Sequence, residues 1–293
     1  MTRVLTTILL AHSLLSCDAG PRQEFHGALY FGQGAYLMRF SLGDASLSIA
    51  GHLGDTTIRQ VTALGDEDLL IAETASVDGR GVPRISWVDP KTGETADLYG
   101  GVRAEHLANP GVVVYDDGSD LYAVPQQFDS DNEIIFSHPQ SPLIRLMEAS
   151  SGILLIETGD ADAAVIHSWD ARTGELNMIE ALAATCRLVG AVWIGPLERL
   201  ACKQRATPAV DAEYLLSDLE GKVDGGLKLP QDKAFLALAY IESQNALVLQ
   251  ETWRGVLGTR DKHAVWMHDL DSGEIHRLAK NVNLGESVVY AEY

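Results

Sequence analysis

Three features of this 293-residue sequence predict an all-β fold. The first is a strand–turn–strand unit, VIHSWDARTGELNMI at Val165–Ile179, which recurs as RISWVDPKTGETADL (Arg84–Leu98) and VWMHDLDSGEIHRL (Val265–Leu278). The second is spacing. Aligning the third strand-like run of each larger copy puts Ser41, Asp89, Pro125, Asp170, Asp218 and Asp269 at one position, at irregular steps of roughly 45 residues, which fits four-stranded repeats with variable loops and no solenoid period. The third is face patterning. GVVVY, GILLI, FLALAYI and ALVL are apolar on both faces, as strands packed front and back must be, whereas a two-layer sandwich leaves one face wet. Together they predict a β-propeller of about six four-stranded blades.

The repeated turn has a local cause. Asp170 can accept a bond from the backbone two residues on, and Gly174 supplies the positive φ that closes a bulged hairpin. Asp89 with Gly93, and Asp269 with Gly273, keep the same spacing.

The chain begins with Met1–Cys17: Arg3, an apolar run from Val4 to Leu15, then Ser16 before the cysteine. That run is too short for a permanent membrane span, and the order of regions is that of an export signal. Leu14-Leu15-Ser16-Cys17 resembles the lipobox of bacterial lipoproteins, which implies lipidation of Cys17 as the mature N-terminus. The alternative is an ordinary signal peptide cut near Ala19. Asp18 resembles the inner-membrane retention signal of enteric bacteria. The predicted division is therefore a signal peptide over 1–17, a polar tether over 18–26 and the propeller over 27–293. Even fully extended, such a tether reaches only about 30 Å, which keeps the domain near its membrane.

The copies follow in order. ALYF (Ala28–Phe31), YLMRFSL (Tyr36–Leu42) and SLSIA form a first set that is one strand short. IRQVTAL, DLLIAET, PRISWVD and ETADLYG make the second, between Ile58 and Gly100. HLANPG, GVVVYDD, SDLYAV and EIIFSH make the third, with Pro125 in place of the turn aspartate. LIRLME, ILLIET, AAVIHSWD and ELNMIEA run from Leu143 to Ala181; CRLVGAVWI, ERLACKQ, EYLLSDL and VDGGLKL from Cys186 to Leu229. FLALAYI, ALVLQET, AVWMHDL and EIHRLAK end at Lys280. ESVVYAEY (Glu286–Tyr293) is left over and is predicted to complete the first blade and close the ring, removing an open sheet edge. Val288 and Tyr290 would then face one neighbouring blade, Val289 and Ala291 the other. No stretch carries helical period and caps.

VWIGPLERLACKQ and AYIESQNALVLQE resemble the strand pair of TolB-type, WD40-like propellers, in which an aromatic precedes a short polar turn and a small-apolar strand. The resemblance implies a six-bladed ring over Gly27–Tyr293. The Asp-x-x-Thr-Gly turns are also similar to those of pyrroloquinoline-quinone enzymes. The tryptophans Trp87, Trp169, Trp193, Trp253 and Trp266 do not recur at one aligned position, so no cofactor is predicted.

Charge and motifs narrow the function. The 41 acidic against 22 basic residues give a net charge of −19, which disfavours nucleic acid and electrostatic attachment to anionic lipid. Membrane contact is expected through the N-terminal lipid alone, on a monomer in the bacterial envelope, periplasmic or at the cell surface. Cys186 and Cys202 lie on adjacent strands of one hairpin; in an oxidising compartment they either form a disulfide or remain buried thiols. Asp129-Ser130-Asp131-Asn132-Glu133 looks like part of a calcium loop, but lacks its glycine and distal glutamate. Asp116-Asp117-Gly118-Ser119-Asp120 reads as a hairpin turn. His268 and His276 flank the Asp269–Glu274 turn and, with His263, cluster in the last full copy, without an evident third ligand for zinc. No HExxH, GxSxG, P-loop or CxxC occurs, so no catalytic, cofactor or metal residue is assigned. The expected function is a non-enzymatic binding or scaffold module for a protein, peptide or glycan. The rival is a propeller-type polysaccharide lyase or glycosidase with its site at the channel mouth.

Overall fold

A computed structural model describes residues 25–54, 56–64, 68–74, 83–125, 132–138, 141–160, 163–204, 214–230, 232–254, 261–285 and 287–292. The chain opens with β1 (Ala28–Gln33), β2 (Tyr36–Ser41) and β3 (Leu47–His52). Next come β4 (Thr57–Leu64), β5 (Asp68–Thr74), β6 (Arg84–Val88) and β7 (Thr95–Gly100), then β8 (Arg103–Leu107), β9 (Val112–Asp116), β10 (Asp120–Pro125) and β11 (Glu133–Ser137). A third group is β12 (Leu143–Ser150), β13 (Ile153–Thr158), β14 (Val165–Asp170) and β15 (Leu176–Met178), followed by the short helix α1 (Glu180–Thr185). β16 (Cys186–Ile194), β17 (Arg199–Gln204), β18 (Tyr214–Ser217) and β19 (Val223–Gly226) precede β20 (Phe235–Ile241), β21 (Ala246–Arg254), β22 (Asp261–Asp269) and β23 (Ile275–Lys280). β24 (Val289–Ala291) comes last.

Among the described residues these strands form six four-stranded antiparallel sheets, five of consecutive strands and one in the order β24-β1-β2-β3. The sheets are arranged as a ring, because a separate apolar core lies between each sheet and the next. Ala28, Tyr30 and Leu37 of the first sheet pack on Ile58, Val61 and Leu69 of the second. Leu64 and Ile85 meet Val113, Tyr115 and Val124, and Leu107, Val114 and Leu121 meet Leu146, Leu154 and Ile156. Leu155 and Ile166 meet Leu188 and Leu200, and Ile194 and Ala201 meet Phe235 and Leu247. Leu238, Ile241, Val248 and Met267 then return to Phe25, Leu29, Phe31 and Phe40. The fold is an all-β propeller, and its doubly apolar strands are those buried on both faces.

The ring is joined by β24, whose Val289, Tyr290 and Ala291 pair antiparallel with Tyr30, Leu29 and Ala28. Val288 and Tyr290 pack on the core toward the sixth sheet, while Val289 and Ala291 pack toward the second, as the sequence pattern predicts. Gly27 (φ 83°) makes room for this joint: a Cβ there would stand 2.5 Å from the Tyr290 ring and 2.6 Å from the Ala291 carbonyl oxygen. Ser287 fastens the same strand to β4, donating from Oγ to the Val61 carbonyl (2.7 Å) and accepting from the Val61 N–H (3.2 Å).

The repeated turns are built as their sequence implies. Asp89 Oδ1 accepts from the N–H of Lys91 at 2.7 Å, and the Gly93 N–H donates to the Asp89 carbonyl at 2.8 Å. Asp170 and Asp269 accept from Arg172 and Asp271 in the same way, each at 2.8 Å. Hydrogen bonding from the Thr92 hydroxyl, foremost, holds the Asp89 carboxyl below the usual range.

Two expectations are corrected. The first strand of the third sheet is Arg103–Leu107 rather than HLANPG, whose second half is turn. ELNMIEA is not one strand: β15 stops at Met178, and α1 follows, burying Leu182 and Ala183 against the core between the fourth and fifth sheets. At six residues, α1 is too short to show a helical period.

Candidate functional site

The innermost strands of the sheets are β4, β8, β12, β16, β20 and β24, and together they enclose a central cavity of about 930 Å³. Its lining runs along those strands, from Arg145, Leu238 and Ser287, and reaches their C-terminal ends and the residues just beyond them, among them Ala63, Ala108, Ser151, Gly195, Ser243 and Glu292. The cavity therefore opens on the face where all six inner strands end. That face also carries His26 and Gly27, because β1 starts beside the end of β24.

Charged groups lie among the apolar and uncharged polar residues of the ring. β8 contributes Glu105, and β12 contributes Arg145 and Glu148. Thr62 of β4 donates from Oγ1 to Glu105 Oε1 at 3.0 Å. Burial within the ring pushes the Glu105 carboxyl up to about 7; the Glu148 charge adds to the rise, and Arg145 and the Thr62 hydroxyl oppose it. Burial likewise raises the Glu148 carboxyl, against a bond from the Gly152 N–H at 3.5 Å. A carboxylate in such a setting is one whose charge the protein has not fully compensated.

Aromatic side chains complete the wall. Trp193, Tyr240 and Tyr290 line the cavity from β16, β20 and β24. Tyr240 donates to Asn245 Oδ1 at 3.0 Å. Gln244, in the turn after β20, donates from Nε2 to the Tyr290 hydroxyl (3.0 Å) and the His26 carbonyl (2.8 Å), and accepts from the His26 N–H (3.2 Å). Gln60 of β4 donates to the Ala104 carbonyl at 2.7 Å and so ties two inner strands together. Rigid walls with a few convergent polar groups are the ordinary make-up of a ligand site.

The residues singled out from sequence lie elsewhere. Cys17 is outside the described residues, as are Asp129, Ser130 and Asp131. Cys186 and Cys202 are fully buried between the fourth and fifth sheets, with Cα atoms 5.6 Å apart and their Sγ atoms meeting across the strand pair. Asp116 to Asp120 is a hairpin turn, in which Asp117 Oδ1 accepts from the N–H groups of Ser119 (2.9 Å) and Asp120 (3.0 Å). The three histidines do not converge. Met267 is paired with His276 and His268 with Ile275, which sets His268 and His276 on opposite faces of their sheet. Among the described residues no three His, Cys, Asp or Glu side chains are grouped to hold a metal ion.

Sequence reasoning did not single out Glu105, Arg145 or Glu148. The signal available was a charged residue inside the first strand of a copy, RAEHL and LIRLMEAS, where the other first strands are mainly apolar. It also missed a buried pair, His138 Nε2 and Asp116 Oδ1 at 3.1 Å, whose carboxyl is raised by burial.

No family model matches the chain, and no curated protein matches its sequence. Solved structures match its fold. The putative TolB from Agrobacterium tumefaciens aligns with a TM-score of 0.57 at 10% identity, over 90% of this chain and 98% of its own. TolB from Acinetobacter baumannii gives 0.57 at 9%, over 92% of this chain and 66% of that one. An oligogalacturonate lyase in complex with manganese gives 0.50 at 13%, over 82% and 73%. At such identities the likeness is one of fold: this chain is an all-β propeller similar in architecture to TolB proteins and to that lyase.

Proposed function

We propose that this chain is an envelope-anchored, six-bladed propeller lipoprotein that acts as a non-enzymatic binding module for a protein, peptide or glycan. The observation that carries this reading is the central cavity, open on one face and walled by Trp193, Tyr240 and Tyr290 with a few charged groups. The fold likeness to TolB proteins supports it. In this reading Cys17 is lipidated, the mature protein is a monomer in the periplasm or at the cell surface, and Cys186 and Cys202 form a disulfide on export. Their 5.6 Å Cα separation is within the span such a bond requires.

The test uses the lipidated protein in membranes of a native-like host. A photo-crosslinking residue at Tyr240 should recover one partner species, and Trp193→Leu, which keeps an apolar side chain against the core between the fourth and fifth sheets, should abolish that adduct in protein that remains folded. An adduct indifferent to Trp193 would place the partner elsewhere and overturn the cavity as the binding site. The rival reading, a polysaccharide lyase or glycosidase, is favoured by one observation: Glu105 close enough to Arg145 and Glu148 to feel both charges. Turnover of a polysaccharide that is lost in Glu105→Gln would establish it.

A further inference from the structure

We propose that the cavity is a receptor for a basic side chain, the guanidinium or ammonium group of an Arg- or Lys-bearing peptide segment. The inference rests on the binding reading above and names its ligand.

Among the described residues the cavity is lined by four carboxylates, Glu105, Glu148, Glu242 and Glu292, and one cation, Arg145. Two of the four are deep. Glu105 on β8 feels the charges of both Glu148 and Arg145 on β12, so one guanidinium stands against two carboxylates and the surplus among these groups is negative. Among the described residues the remaining walls add no further cation: β4 faces Glu105 with Thr62, β20 and the turn after it offer Tyr240 and Glu242, and β24 offers Tyr290 and Glu292. The same walls carry Trp193, Tyr240 and Tyr290, and an aromatic face attracts a cation most strongly where water is excluded.

Size and donor chemistry set the class of ligand. A volume of about 930 Å³ holds a side chain with the backbone that bears it, rather than a bare ion. No three metal-ligating side chains converge among the described residues. An anionic sugar or phosphate would meet the negative surplus, on a chain whose net charge is already −19. A planar guanidinium suits the site best, because it pairs with a carboxylate through parallel N–H donors and stacks on aromatic rings.

Seating a cation beside Glu105 supplies the missing countercharge. The carboxyl, raised by burial to about 7, then returns toward its ordinary range and gives up its proton. Binding at neutral pH is therefore accompanied by proton release, which neither a neutral glycan nor an apolar peptide would produce.

The experiment is titration calorimetry of the mature, folded protein with an acetylated Gly-Arg-Gly amide and its citrulline counterpart. It is run at pH 7 in two buffers of different ionisation enthalpy. The arginine peptide should bind at least tenfold more tightly than the citrulline one, with proton release. Glu105→Gln should abolish that release and weaken binding about tenfold, and Glu148→Gln should weaken binding with melting temperature held. Equal affinity for the two peptides, or no proton release with the parent protein, would overturn the inference. If crosslinking from Tyr240 still captures a Trp193-dependent partner while neither peptide binds, the binding function stands and only the basic ligand is excluded.

Discussion

Truncation after Gly285 should unzip the propeller, because the removed segment is the joint of its ring. Val288, Val289 and Tyr290 are half-buried and Ala291 is 8% exposed. At about 25 cal/mol per Å², such side chains contribute roughly 1 kcal/mol each. Ser287 makes two hydrogen bonds to Val61, and Tyr290 accepts one from Gln244; each is worth about 1 kcal/mol net. The total, roughly 7 kcal/mol before the ladder to β1 is counted, is comparable to the whole net stability of a typical domain, about 5–15 kcal/mol. The melting temperature of the mature domain, followed by calorimetry, should fall by about 10–20 °C. The uncovered edge of β1 should promote association, visible by size-exclusion chromatography with light scattering. A graded control is Ser287→Ala, which leaves the Val61 N–H and carbonyl without their partner and should cost about 2 kcal/mol, or roughly 5 °C. A truncated protein that stays monomeric and melts within a few degrees of its parent would refute the role given to β24.

Four further outcomes can be checked independently. Mass spectrometry of the mature N-terminus should find a lipid-modified Cys17; an unmodified chain starting at Ala19 or later would exclude the lipoprotein. Thiol labelling of denatured, unreduced protein should leave Cys186 and Cys202 unreacted, and Cys202→Ser should destabilise by about 3 kcal/mol for a loop of this length; two reactive thiols would exclude the bridge. Glu105, raised to about 7 from an ordinary 4.5, holds a proton in the folded state that the unfolded chain releases, so its contribution to stability is lost as pH rises from 4.5 to 7. Glu105→Gln should therefore raise the melting temperature above pH 7 and leave it unchanged below pH 4.5, and a gap independent of pH would contradict that assignment. His268 shows the opposite sign: burial lowers its pKa, so the folded state resists the proton and stability falls as pH drops below 6.5. His268→Leu should flatten that acid limb, as followed by circular dichroism.

The architecture was legible because it is repeated. Asp89, Asp170 and Asp269 each announce a hairpin by local chemistry alone, and three copies fix a period that one would not. The joint was legible by counting strands, and the alternation of Val288 to Ala291 then fixed which side chain faces which neighbour. Irregular features were not legible. The strand pair holding Cys186 and Cys202 has a bulge: Arg187 faces Lys203 and Val192 faces Ala201, leaving residues 188–191 opposite Cys202. Gly190, at φ 74° within that stretch, marks the slip but does not fix its extent, so the geometry of the two cysteines could not be derived from spacing. The cavity was hidden for a different reason. Glu105, Arg145, Trp193 and Tyr240 come from four different sheets and meet only after the ring has formed.

The joint at β24 also sets an order of events. Five sheets are built from consecutive strands and can form as each stretch of chain is delivered, but the first sheet is completed by the last strand. Ser287 and Val61 are 226 residues apart in sequence, and closing so long a loop is slow. Until that closure, Leu29, Phe31 and Phe40 lack the packing that the sixth sheet gives them, and the inner edge of β1 is unpaired. The first strands to emerge are therefore the last to be protected. The most aggregation-prone interval of such a ring is the one in which everything but the seam is already in place.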